Sequence, residues 1–398
     1  MMANIAIVGA GLMGRLTALT LHRQGHRISL FDKDDKNARH SAAYAAAGLL
    51  TPLGEAIGCE SNIVTMGLTS LKLWPKIIAS LEEPVFFQQT GALLVSHTQD
   101  QGDYLRFKRF LQQHYPKHPQ QSLDRSALLA LEPELGRSFN QGLYLPEEGQ
   151  IGNRRLLRAL CHQLESEGVN WLNGCEVTGI APEENGSVLE YRQSGEKQRQ
   201  SFNLVIDCRG FGAKRSGRDS GADLKDLRGV RGELFQLFAP EVNISRPVRL
   251  MHPRYQLYIA PKSKGYYVVG ATEIESEDDS PMTVRSALEL LSAAYSVHPG
   301  FAEAAIRQHI SQHRPAFSDN QPKILIRPGL IQVNGLYRHG FLIAPVLLQH
   351  VNELVTALAP TLAEKTRFSQ QILKKTLAAS RFTYSQLLPI GLYDANIH

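Results

Sequence analysis

Asn4-Ile5-Ala6-Ile7-Val8 runs straight into Gly9-Ala10-Gly11-Leu12-Met13-Gly14, and a second apolar run, Arg27 to Phe31, ends on Asp32. The glycines keep the G-x-G-x-x-G spacing, follow a strand pattern, begin a helical pattern carrying Leu16, Leu19 and Leu21, and are answered by an acid 18 residues after Gly14. In that context the stretch reads as the start of a dinucleotide-binding domain, which the spacing alone would not establish. Gly9 permits the tight turn, Gly11 removes the side chain that would block a pyrophosphate, and Gly14 lets helix and strand pack closely. Free backbone N–H groups at the helix start then face the anion. Asp32 is placed to accept hydrogen bonds from ribose hydroxyls, and its charge disfavours a 2′-phosphate, which leaves FAD or NAD.

Working outward, 398 residues with 43% apolar and 20% charged side chains have ordinary globular composition and enough length for two to three domains' worth of core. The formal charge of +5 is spread along the chain. Its densest basic stretch, Arg154, Arg155 and Arg158, is too short to make nucleic acid the partner, and a solvated helix face accounts for it. No apolar run approaches the ~20 residues that cross a bilayer, and the chain moves directly into its first strand without a cleavable signal pattern. A cytoplasmic protein with no membrane partner is expected. Cys59, Cys161, Cys175 and Cys208 show neither a C-x-x-C pair nor metal-ligand spacing, so reduced structural thiols and no metal are expected.

The small-residue segment Ser41 to Pro52 has two readings, an alanine-rich helix supporting the core or a backbone cleared of bulk for a large planar cofactor, and the residues alone do not decide. Helical spacing marks Asn62 to Leu81, Leu105 to Leu111, Ser126 to Leu131 and Arg154 to Leu164, and Val85 to Val95 reads as paired strands around Thr90-Gly91. Asn170 to Ile180 leads into a strand pair through Tyr191, and Asn203 to Cys208 is an apolar strand ending in the turn Asp207-Cys208-Arg209-Gly210-Phe211-Gly212. From Gly232 alternating segments (Glu233 to Phe238, Val248 to Leu250, Gln256 to Ala260, Gly265 to Gly270) predict an antiparallel sheet. Thr283 to Tyr295 and Phe301 to His309 follow as helices. The chain returns through Ile324 to Val333 and Leu336 to Pro345 to a last helix, Gln349 to Leu362. Arg381 to His398 lacks periodicity and reads as a loosely held tail.

Three strings carry a family resemblance: Asp207 to Ala213, the hairpin Tyr258-Ile259-Ala260-Pro261-Lys262 with Val268-Val269-Gly270-Ala271-Thr272-Glu273, and Leu336-Tyr337-Arg338-His339-Gly340-Phe341-Leu342-Ile343-Ala344-Pro345. With the amino-terminal glycines and the Tyr44 to Pro52 segment, they make nearly the whole chain resemble the glycine oxidase (ThiO) branch of the D-amino acid oxidase superfamily. The resemblance implies an α/β fold: a Rossmann-like FAD-binding domain with a parallel sheet (1–80, 150–230 and 316–380), a substrate domain with a large antiparallel sheet (81–149 and 231–315), and the tail 381–398. It implies non-covalent FAD held by Gly9, Gly11, Gly14, Asp32, Ala46, Ala47, Gly48, Leu49, Val177, Gly210, Gly212, Arg338, His339, Gly340, Phe341 and Leu342. Arg314 would pair with a substrate carboxylate, Tyr258 would hydrogen-bond it from the sheet, and Arg338 would sit beside flavin and substrate. Lys262 and His313 stand where many relatives carry arginine and leucine, which puts fine substrate preference in question.

These residue types suit amine oxidation. An arginine fork grips a carboxylate bidentately and so fixes the α-carbon. His252 and His339 lie near in the sequence motifs, but each reads better as structural, so hydride transfer from an already neutral amine without an essential base is expected. The implied reaction turns glycine into an imine, then glyoxylate and ammonia, with O2 becoming hydrogen peroxide and the imine serving thiamine thiazole assembly. Sarcosine or D-amino acid oxidation, a quinone-linked dehydrogenase and a tRNA wobble-base-modifying flavoprotein are the alternatives. A small amino acid and O2 are the expected partners, and a homo-oligomer is compatible with the sequence.

Overall fold

The computed structural model describes residues 2–135, 139–183, 186–215, 224–252, 256–364 and 390–392. Its first layer is a seven-stranded sheet in the order Ile390–Leu392, Lys323–Arg327, Leu330–Asn334, Leu204–Asp207, Asn4–Val8, Arg27–Asp32, Asn170–Asn173. All neighbours run parallel except the hairpin Lys323–Arg327 with Leu330–Asn334. The first strand shows why both faces are covered. Alternate side chains leave a strand on opposite sides, so Ile5 and Ile7 join the helices Leu12–Arg23, Ser61–Ala79 and Gly340–Glu364 on one face. Ala6 and Val8 meet Val177, Leu189 and Tyr191 on the other. Those last residues belong to a three-stranded antiparallel sheet, Cys175–Glu183, Gly186–Gln193 and Glu196–Phe202. Trp74, fully buried, stacks on Phe341 and donates its indole N–H to the Phe341 carbonyl at 2.9 Å.

The second large layer is an eight-stranded sheet ordered Ala305–Ala316, Arg228–Phe238, Tyr266–Gly270, Gln256–Pro261, Val248–Met251, Ala92–Val95, Gln141–Leu145, Gln121–Asp124. One face, with Phe235, Leu237, Leu257, Ile259 and Val269, buries against the helix Val284–Val297. The opposite face carries Leu234, Ala260 and Val268 against Ala47. Its neighbours run antiparallel except Val248–Met251 with Ala92–Val95, which run parallel, and this α/β pairing of a nucleotide-type sheet with a large, mainly antiparallel one is the predicted fold class.

Several elements differ from expectation. Phe301 to His309 is no helix: after a short 3-10 turn at Pro299–Glu303, Ala305–Ala316 pairs along the whole of Arg228–Phe238. Its apolar positions fit either period, and the partner strand decides. Phe87–Gln88 and Ala92–Val95 do not pair with each other; the first joins Gly149–Ile151, the second Gln141–Leu145 and Val248–Met251. The last helix begins at Gly340, well before Gln349. By length and composition the apolar stretch Tyr337–Leu358 would reach across a bilayer, against expectation, but 72% of it is buried inside the protein, where it packs on Ser61–Ala79 and Leu12–Arg23. Within the predicted tail, Ile390–Leu392 pairs parallel with Lys323–Arg327, and the rest of 381–398 lies outside the described residues. The four cysteines are free thiols.

Candidate active site

Between the two large sheets lies one cleft of about 1640 Å³. At one end the turn after the first strand behaves as its glycines require. Gly9 sits at φ +97°, and a Cβ on Gly14 would lie 1.7 Å from the Gly9 carbonyl oxygen, so the helix can approach the strand only without that atom. Gly14 is therefore a packing residue and does not line the cleft, whereas Gly9, Gly11 and Asp32 do. The Asp32 carboxylate accepts the N–H of Ala10 and, at 2.8 Å, that of Asp34, while burial pushes its pKa upward. Arg15, with no exposed surface, gives three N–H groups to the carbonyls of Ala10 (2.7 Å), Leu157 (2.5 Å) and Lys36 (2.8 Å) and lies over the Trp171 ring. It thus fixes the carbonyl between the first two glycines. Directly beside this turn, at the end of the neighbouring strand, Gly210 adopts φ +55°, and the preceding Arg209 is tied to Asp207 at 2.8 Å.

The alanine-rich segment along the cleft wall is a run of turns and extended backbone with no α-helix, which removes the helical reading. Asn153 holds it from behind by donating to the carbonyls of Ala43 (3.0 Å) and Tyr44 (2.9 Å). Gly48, at φ +70°, would carry a Cβ only 2.2 Å from the Ile151 carbonyl oxygen. Lys262 reaches this wall from the antiparallel sheet, its Nζ donating to Ala47 O (2.6 Å), Gln150 Oε1 (2.9 Å) and Ile151 O (3.3 Å). Three acceptors match the three protons of an ammonium, although burial pulls the pKa down to about 7. Lys262 is not among the cleft-lining residues. Its place is beneath the wall, where it holds the Ala47 backbone from the sheet side.

At the far end strand register puts the polar groups on one face. Tyr258 lies opposite Gly270, Gly270 opposite Leu234, and Arg314 opposite Val230. Since residues two apart share a face, Arg314, Gly232, Gly270 and Tyr258 all look into the cleft. A Cβ on Gly232 would sit 2.3 Å from the Arg314 guanidinium carbon, and one on Gly270 2.8 Å from the Tyr258 hydroxyl. The two glycines clear the space these polar groups fill. Burial raises the Tyr258 pKa to about 12, which keeps its hydroxyl a donor. Arg314 Nη1 donates to the Thr272 carbonyl at 3.0 Å, and among the described residues no carboxylate pairs with it.

The neighbouring charges are matched differently. Arg338 holds Glu273 at 2.9 Å, the Gly58 carbonyl at 2.7 Å and Glu55 at 3.3 Å, while its buried Nε has no hydrogen-bond partner among the described residues. Arg249 pairs with Glu55 at 3.0 Å and donates to the Gly54 carbonyl. Burial opposes ionisation of Glu55, but Arg249 and Arg338 outweigh it and hold its pKa at about 2. Burial raises Glu148 to about 8, against the Gly54 and Leu53 N–H groups it accepts. His339 is pushed down to about 4 by burial, so its ring is neutral near pH 7. His252 and His313 also line the cleft, His313 with Nδ1 3.3 Å from Asp279.

Apart from Gly14, every residue assigned to cofactor or substrate from the sequence lines this cleft. Glu55, Gly58, Arg249 and Glu273 were not foreseen. For Arg249 a signal existed: a charge between Val248 and Leu250 on a strand points away from the core those two enter. Glu55 sits in a turn and carries no periodic mark. A turn with no room for a Cβ, a carboxylate beyond it, a wall of small residues and a helix N-terminus at Gly340 together fit an FAD-sized ligand.

Comparison with known proteins agrees. Residues 4–354 match the DAO family, FAD dependent oxidoreductases. The chain is 35% identical over 348 residues to the Rhizobium etli protein named as a thiamine biosynthesis oxidoreductase, ThiO, covering 87% of this chain and 95% of that one. It is 27% identical to the glycine oxidase of Geobacillus kaustophilus over 88% of this chain and 92% of that one. The crystal structure of the latter superposes with a TM-score of 0.78, covering 90% and 97% of the two chains. The chain belongs to the DAO family of FAD-dependent oxidoreductases.

Proposed function

We propose that this protein oxidises glycine, or a similarly small amino acid, to its imine, which water converts to glyoxylate and ammonia while O2 is reduced to hydrogen peroxide. The name of the Rhizobium etli relative supports an assignment to thiamine biosynthesis, where the imine would serve thiazole assembly, and a cytoplasmic setting suits such a substrate. The observation that carries the reading is the Arg314 guanidinium, facing the cleft beside the Tyr258 hydroxyl and, among the described residues, with no carboxylate of its own.

FAD, bound non-covalently, supplies the hydride acceptor. Arg314 and Tyr258 grip the substrate carboxylate and so fix the direction of the α-C–H bond, the proximity term of catalysis. The substrate enters as its deprotonated amine, so no proton has to leave nitrogen before the hydride leaves carbon. Neither His339, already neutral, nor His252 is assigned the role of a base. The first N–H groups of Gly340–Glu364 would hold the electron-rich part of FAD, with Arg338, its charge answered by Glu55 and Glu273, beside flavin and substrate.

The test is spectroscopic. The purified yellow protein, mixed anaerobically with glycine, is expected to bleach, and air is expected to restore the colour with one peroxide per glyoxylate. A protein that takes up no FAD, or bleaches with other amines but not with glycine, overturns the reading.

A further inference from the structure

The substrate end of the cleft is lined by three guanidiniums whose charges are answered unequally. Glu55 places Oε1 3.0 Å from Arg249 and Oε2 3.3 Å from Arg338, and Arg338 also holds Glu273. Arg314 is met by a neutral carbonyl. The turn that carries Glu55 is shaped around the two paired guanidiniums: Arg249 donates to the Gly54 carbonyl, Arg338 to that of Gly58, and a Cβ on Gly58 would lie 2.6 Å from Arg338 Nη2. Glu148 fixes the turn from below by accepting the Gly54 N–H at 2.8 Å.

We propose that Glu55 sets the charge of the substrate this site accepts. By neutralising Arg249 and Arg338 it leaves Arg314 to receive a single acid group, so that amines with one carboxylate are taken and dicarboxylic ones are refused. The inference rests on the oxidation reading above and adds a specificity-determining residue to it. Three cations against the carboxylates of Glu55 and Glu273 leave one positive charge, which one substrate carboxylate cancels. A second acid group would meet Glu55, an anion throughout the working pH range because the two guanidiniums hold it ionised. Specificity then comes from a repulsive element as well as from the attractive fork.

Binding can be read without turnover, from the perturbation of the FAD spectrum by acetate and malonate. In the wild-type holoprotein malonate is expected to bind no more tightly than acetate. In Glu55→Gln, where Arg249 and Arg338 lose their shared anion, malonate is expected to bind at least about tenfold more tightly than acetate, the scale of one charge-assisted pair. Reduction by iminodiacetate, which loses a hydride from carbon and a proton from nitrogen to give its imine, should gain on glycine by a similar factor. Glu55→Asp keeps the charge and should keep the wild-type preference. An unchanged malonate-to-acetate ratio in Glu55→Gln overturns the proposal. So does wild-type protein that already favours malonate tenfold, a result that needs no variant to fold. If glycine fails to bleach the protein but the anion preference still switches, the oxidation reading falls and the charge rule stands; if acetate leaves the wild-type spectrum unperturbed, both fall.

Discussion

Arg314 and Tyr258 differ in what each can contribute, and their variants should separate cleanly. A charge-assisted bidentate pair in a desolvated site is worth about 3 kcal/mol, so Arg314→Met should lower kcat/KM for glycine by roughly 100-fold. Arg314→Lys should recover only part of it, because an ammonium cannot reproduce the planar fork. A single hydrogen bond from a neutral hydroxyl to a carboxylate is worth about 1.5 kcal/mol, so Tyr258→Phe should raise KM by roughly tenfold with kcat little changed. Stopped-flow reduction at varied glycine, on protein whose FAD content has been quantified, reads both. Equal losses in the two variants would mean that the guanidinium does not carry the carboxylate.

At the scale of elements, the turn Gly9 to Gly14 is where sequence and structure agree most closely, and it makes a separate prediction. Gly14→Ala places a methyl group 1.7 Å from the Gly9 carbonyl oxygen, so the helix Leu12–Arg23 must move off its strand. Overpacking of this kind costs about 1–3 kcal/mol, expected as a lower denaturant midpoint together with loss of FAD on gel filtration. Retention of both would show that the close approach is dispensable. The turn was legible because its requirements are local: a φ that glycine adopts freely, a missing Cβ, an acid at the end of the next strand. Ala305–Ala316 was not, because its conformation is imposed by Arg228–Phe238, which lies far away in sequence. The site divides along the same line. Arg314 and Tyr258 were reachable through a family resemblance, and their strands explain why they face the cleft. Glu55 acquires its role only when a turn after the alanine-rich wall meets Arg249 from one sheet and Arg338 from the approach to the last helix.

For the whole molecule, the buried titratable groups at and near the cleft fix how stability should vary with pH. His339 and His350 are both held at about 4 by burial, against an ordinary value of 6.5. Between those values the unfolded chain binds protons that the folded one refuses, so stability falls as pH drops from 6.5 toward 4, by roughly 3 kcal/mol for each ring. Glu148 acts in the opposite sense. Its pKa is raised from 4.5 to about 8, so the folded protein keeps a proton that the unfolded chain gives up, and the associated stability is lost as pH rises from 4.5 through 8. Two rings outweigh one carboxyl below 6.5. From about 7 upward Lys262, pulled down from 10.5 by burial, works against the carboxyl, because the unfolded chain holds a proton that the folded one has given up. Chemical denaturation of the holoprotein should therefore show stability climbing from about pH 5 to about 6.5 and then running nearly level to about pH 8. Glu148→Gln, uncharged at every pH and still able to accept the Gly54 N–H, should steepen the acid limb and, with Lys262 left unopposed, turn the level alkaline side into a rise. A profile unchanged in this variant would mean that Glu148 is already ionised at neutral pH beneath the turn that carries Glu55.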